Sequence, residues 1–112
     1  MKLWIDDVRP APDGYIWIKT VNDAKDAISL RENMNGIQWP YHQGYEVIYP
    51  FELIDIDHDA GDYAQYGGDY IKLLDWLEET GRNYPIRIHS MNPVGRQNML
   101  AICQKNGWKV IN

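Results

Sequence analysis

At 112 residues the chain has room for one domain and one core, expected to span residues 1–112. Acidic residues outnumber basic ones, the formal net charge is −5 and no basic block occurs, which argues against duplex nucleic acid as a partner. A single cysteine excludes an internal disulfide, and no signal segment or bilayer-length apolar run is visible. A soluble, cytoplasmic protein with no membrane partner is therefore expected; the sequence leaves its oligomeric state open.

Lys2 to Ile5 is a short apolar run ending in Asp6-Asp7, which predicts a buried strand that stops in a polar loop. Arg9 to Gly14 is loop by its prolines and glycine, and Tyr15 to Lys19 reads as a second strand. Thr20-Val21-Asn22-Asp23 has the form of a capping box, so a helix is expected from about Val21 to Asn33. Residues 35–50 carry four breakers and the aromatics Trp39, Tyr41, Tyr45 and Tyr49. This stretch reads as an aromatic insertion, with a short strand around Glu46 to Tyr49 as one option and a lid or interaction surface as its role.

Leu53 to Asp57 predicts a strand followed by the polar cluster His58 to Asp62. Asp69 to Thr80 predicts a helix with Tyr70, Leu73, Leu74 and Leu77 as its apolar stripe and Gly81 closing it. Ile86 to His89 is a strand, and Asn92-Pro93 reads as an N-cap with a first-turn proline. That helix runs to Lys105 or Asn106, where Gly107 ends it, and Trp108 to Ile111 forms a last strand. Cys103, among Met99, Leu100 and Ile102, reads as a buried hydrophobe rather than a nucleophile. The order β-β-α-β-α-β-α-β calls for a parallel sheet covered on both faces, with ligands gathering beyond the carboxyl ends of the strands.

Those ends are strongly polar. The first offers Asp6 and Asp7, the third Asp57, His58 and Asp59, and the fourth His89, Ser90 and Asn92. Three carboxylates brought close together must share a proton or a cation, which suggests that Asp6, Asp7 and Asp57 hold a metal. Hard oxygen ligands suit Mg²⁺, with Mn²⁺ the other candidate. His58 and His89 can act as general acid and base or as ligands, with Asp59 orienting one imidazole; His42, in the aromatic stretch, has no such context. The helix opening at Asn92 to Arg96 suits a phosphate, gripped by Ser90, Asn92 and Arg96 with Arg9 across from it.

The double acid after strand one, Asp57 after strand three and Ser90 after strand four resemble response-regulator receiver domains. There two early acids hold Mg²⁺, an Asp accepts a phosphoryl group, and a Ser or Thr touches it. Glu52, five residues ahead of Asp57, matches an acid common in receivers. The receivers' first helix is here a Pro-rich loop, and their Lys-Pro and last helix are missing from this sequence, which argues against two-component signalling.

Met1 to Pro10 (MKLWIDDVRP), Asp57-His58-Asp59 and Arg87 to Arg96 (RIHSMNPVGR) more closely resemble the cyclic-phosphate-processing receiver-like family. The resemblance implies a three-layer flavodoxin/receiver-like α/β fold with a parallel five-stranded sheet, its first helix replaced by loop and its last absent. It also implies action on cyclic phosphates in RNA repair or nucleotide metabolism, with a small nucleotide or RNA end as partner. Two readings follow. One is a metal-dependent phosphoesterase, with either water or Asp57 as nucleophile. The other is a non-catalytic degenerate receiver that binds a nucleotide or a protein.

Overall fold

The computed structural model describes residues 1–37 and 50–112. The strand expected at Glu46 to Tyr49, and most of the 35–50 insertion, lie outside the described residues. In chain order the elements are β1 (Lys2–Ile5), β2 (Tyr15–Ile18), α1 (Val21–Met34), β3 (Leu53–Ile56), a 3₁₀ turn (Gly61–Gln65), α2 (Ile71–Glu79), β4 (Ile86–Ile88) and α3 (Pro93–Asn106). The four strands are parallel in the order β2-β1-β3-β4. The α/β receiver-like fold is as expected. The fifth strand shrinks to one parallel bridge, Ile86 with Val110, held by hydrogen bonds of Ile86 to Lys109 O (2.9 Å) and from Ile111 N (2.8 Å).

Alternation along the strands divides their side chains between two faces. Leu3, Ile5, Ile54, Ile56, Ile86 and Ile88 face one way, into a single apolar core. Val21, Ala24 and Ile28 of α1, Leu73, Leu74 and Leu77 of α2, and Met99 and Cys103 of α3 bury into that same core. Helix α2 packs against both α1 and α3. All three described helices therefore stand on one face. This follows from the connections: β2 to β3, β3 to β4 and β4 to Val110 all step in the same direction, and right-handed crossovers stepping the same way share a side. The β1–β2 connection steps back, and it is the loop of residues 6–14 rather than a helix. Among the described residues, coverage of the second face thus comes from this loop and from the side chains of Trp4, Tyr15, Trp17, Asp55 and Arg87, where two helical faces were expected.

Helix ends follow the expected chemistry. The Thr20 hydroxyl accepts from Asp23 N at 3.0 Å and caps α1, a contact worth about 1 kcal/mol. Asn92 caps α3 by accepting from Gly95 N at 3.0 Å, with Pro93 in the first turn. Gly107 closes α3 at φ 68°, a left-handed conformation that favours glycine. Cys103 is buried, and burial pushes its thiol up to about 11, which makes it an inert core residue as expected. No described helix is long and apolar enough to cross a membrane.

Candidate functional site

The same alternation that sorts the core sorts the strand-end residues. Asp6, Asp55, Asp57, Arg87 and His89 share the parity of Trp4, on the face away from the helices; Asp7 and His58 have the parity of the core. The expected site is thus two adjoining groups, one on either side of the sheet's end.

The first group centres on His89. Its Nε2 lies 2.9 Å from Asp6 Oδ2 and its Nδ1 lies 2.7 Å from Asp55 Oδ1. The ring stacks on Trp4 with centroids 3.9 Å apart and planes 3° from parallel. Asp6 and Asp55 are both fully buried. Asp6 Oδ1 accepts from Val8 N and Arg9 N at 3.0 and 2.9 Å, which folds the start of the 6–14 loop over the strand end. Burial works against its ionised form, but the two N–H donors and His89 outweigh burial and hold its carboxyl below the ordinary range. Asp55 Oδ2 accepts from Arg87 Nη1 at 3.2 Å and from the Tyr15 hydroxyl at 3.3 Å.

This arrangement bears on the metal. A neutral imidazole has one N–H and one bare nitrogen, and an ionised carboxylate can only accept. Two carboxylates on one ring therefore require an extra proton in the group, or a cation where that proton would be. Asp6, Asp57 and His89 each offer one ligand atom, and these atoms lie within 4.8 Å of one another. The donor set fits a divalent ion. It differs from the expected Asp6, Asp7 and Asp57 in that an imidazole stands in for the third carboxylate among the described residues.

The second group holds Asp7, His58 and Asp59. Asp7 turns toward the 3₁₀ turn, so close to Gly61 that a Cβ there would meet Asp7 Oδ2 at 2.6 Å. Burial, reinforced by the charges of Asp6 and Asp57, pushes the Asp7 carboxyl up. Burial and the same three acids also push the Tyr70 phenol up. Tyr70 donates to Lys19 O at 2.7 Å, which ties α2 to the end of β2. His58 Nδ1 is 2.8 Å from Asp59 Oδ1, so Asp59 contacts one of the two imidazoles. Asp57 Oδ1 accepts from His58 N at 2.8 Å. The His58 ring fits against α3 where Gly95 leaves room: a Cβ at 95 would meet three ring atoms at 2.4 to 2.7 Å.

On the anion side, the expected phosphate ligands already have partners within the fold. Arg9 Nη1 donates to His89 O at 3.0 Å, and Arg96 Nη1 donates to Ile88 O. Ser90 Oγ accepts from Asn92 N at 3.1 Å, while the Asn92 side chain caps α3. Both arginines thus converge on the end of β4, each with further N–H groups beyond the one engaged.

Asp55, Arg87, Tyr15 and Trp4 were not anticipated as parts of the site. The available signal was Asp55 itself: a charge between Ile54 and Ile56 in an apolar strand must find partners or destabilise the fold.

Neither curated proteins nor solved structures yielded a match to the chain. Among family models, that of the cyclic-phosphate processing receiver domain matches residues 1–105.

Proposed function

Because the chain belongs to the family of cyclic-phosphate processing receiver domains, we propose that it is a metal-dependent phosphoesterase opening the cyclic phosphate of a nucleotide or RNA end. The observation that carries this reading is the convergence of Asp6, Asp57 and His89 within 4.8 Å, with Asp55 on the far nitrogen of the imidazole. A carboxylate behind a ligating histidine fixes the ring's tautomer and raises its basicity. The mixed oxygen and nitrogen donors suit Mn²⁺ at least as well as the Mg²⁺ expected from carboxylates alone. When bound, such an ion supplies Lewis-acid polarisation of the phosphate and a more acidic water.

The chain's own residues divide the remaining work. Asp6, Asp57 and His89 would hold the ion, and Asp7 would add negative charge nearby. His58, its Nδ1 taken by Asp59, has Nε2 left to exchange a proton: it takes one from the attacking water or gives one to the leaving ribose oxygen. Water adds to phosphorus, one P–O bond of the ring breaks, and a phosphomonoester leaves. The N–H groups of Arg9 and Arg96 that are not engaged with His89 O and Ile88 O, together with Ser90, would bind the phosphate oxygens. The role would lie in RNA repair or nucleotide metabolism, and a reducing, cytoplasmic compartment accords with one buried, free thiol. The non-catalytic reading draws on the backbone latches of Arg9 and Arg96, which give these residues a structural role without turnover.

Release of phosphomonoester from 2′,3′-cyclic AMP, with Mg²⁺, Mn²⁺ and EDTA arms and a His89→Ala control, separates the two. Metal-dependent turnover that the control loses supports the enzyme. Absence of turnover with either metal, in folded protein, favours the binding module.

A further inference from the structure

On the β2 side of the strand ends a cleft of about 410 Å³ opens between the start of α1 and the 3₁₀ turn, lined by Thr20, Asn22, Asp23, Tyr63 and Tyr66. None of these residues belongs to the site described above. Building on the phosphoesterase reading, we propose that this cleft is a nucleobase-binding subsite, which holds the base of the substrate while its cyclic phosphate lies at the Asp6–Asp57–His89 end.

Size and chemistry agree with a base. The volume is in the roughly 300–1,000 Å³ range of small-molecule sites. Two tyrosines supply flat faces of the kind on which bases stack, and a carboxylate and an amide supply the few polar groups that orient one. Lys19 Nζ lies 4.6 Å from the Trp17 ring centroid and 5.7 Å from that of Tyr63, so the Tyr63 face is held next to a cation. The α1 N-terminus is closed by the Thr20 hydroxyl on Asp23 N. Asp23 beside it favours a ring that donates hydrogens. Guanine presents its N1–H and N2–H side by side, matching the two oxygens of a carboxylate, and is the expected preference.

The walls are held in place and joined to the acids. Asn22 N donates to Tyr66 O at 3.1 Å. Gly67, at φ 115°, sits so close that a Cβ would meet Asn22 Oδ1 at 2.7 Å and Val21 Cβ at 2.9 Å. The 3₁₀ turn carrying Tyr63 begins at Gly61, against Asp7, and Tyr70 fastens Lys19 O on the opposite wall. One end of the sheet thus carries the acid cluster over β1 and β3 and the aromatic cleft beside β2.

The test is an amide NMR titration of the whole chain with guanosine, adenosine, cytidine and uridine, without phosphate or metal. Saturable shifts are expected at residues 20–23 and 63–67, tightest with guanosine. Tyr66→Ala should weaken binding roughly tenfold, the loss of one stacking face, and Asp23→Asn should erase the guanosine preference. Tyr66 is half exposed and its backbone carbonyl makes the latch to Asn22, so the variant keeps the fold, which its own spectrum verifies. The proposal is overturned if no nucleoside produces saturable shifts at these residues, or if binding is unchanged in folded Tyr66→Ala. Turnover of a cyclic nucleotide without nucleoside binding would sink the cleft alone. Nucleoside binding without turnover would sink the phosphoesterase alone.

Discussion

Asp55 Oδ1 lies 2.7 Å from His89 Nδ1, its carboxylate fully buried, and the far nitrogen of the same imidazole meets Asp6. Asp55 is thus the residue that sets which nitrogen of His89 faces the strand ends. Replacing it by asparagine keeps the shape but removes the charge shared by His89 and Arg87. Turnover of a cyclic nucleotide should fall about 10- to 100-fold. Folding stability should fall by about 1–3 kcal/mol, because the Arg87 and His89 donors lose their anionic partner. Turnover at the wild-type level in Asp55→Asn would mean that His89 needs no orienting partner.

Gly95 supports the other imidazole. A methyl group at 95 gains about 1 kcal/mol of helix propensity in α3, yet it would occupy the volume of the His58 ring. Gly95→Ala should therefore displace His58 and reduce turnover at least about tenfold, with a stability change within about 1–3 kcal/mol. Combining it with His58→Ala should restore stability but not activity, as thermal melting and turnover of the single and double variants would show.

Asp7 predicts a gain. Burial, with the charges of Asp6 and Asp57, raises its folded-state pKa above the ordinary value of 3.8. A carboxyl shifted upward costs the native state nothing while protonated and destabilises it as pH rises through the gap between unfolded and folded values. Without metal, Asp7→Asn should thus raise the melting temperature at pH 7 by roughly 1–4 °C, the lower end reflecting its partial exposure. The advantage should vanish near pH 3. An advantage independent of pH would locate the effect elsewhere.

A control lies at the opposite end of the sheet. Glu32, nearly buried, takes Arg82 Nη2 at 2.8 Å and the Tyr84 hydroxyl at 2.7 Å, which locks α1 to the approach of β4. Arg82→Met should lower stability by about 1–3 kcal/mol, because it removes the charge-assisted hydrogen bonds of Arg82 to a buried carboxylate. In the fraction that remains folded, measured well below its melting temperature, turnover per molecule should be unchanged.

Much of the fold was legible because its signals are local. Thr20 and Asn92 announce their helices through capping chemistry, and Gly107 announces a helix end. The strand-end rule drew attention to Asp6, Asp57 and His89, which the structure brings together. What escaped was non-local. Trp108 to Ile111 has strand composition, but only Val110 finds a bridge to β4. Asp55 belongs to the site through the His89 imidazole and through Arg87 on the neighbouring strand, and neither contact shows in a single strand's pattern. Arg9 and Arg96 look like phosphate ligands by type, yet Arg96 anchors the Ile88 carbonyl of β4 and Arg9 that of His89 just beyond it, contacts that only folding creates.

The most direct measurement follows a 2′,3′-cyclic nucleotide by ³¹P NMR in the presence of Mn²⁺, comparing wild type with Asp57→Asn. The account predicts conversion of the cyclic-phosphate resonance to that of a monoester in the wild type, stopped by EDTA and at least about 100-fold slower in the variant. A persistent cyclic resonance in folded wild-type protein, or equal conversion by Asp57→Asn, would contradict it.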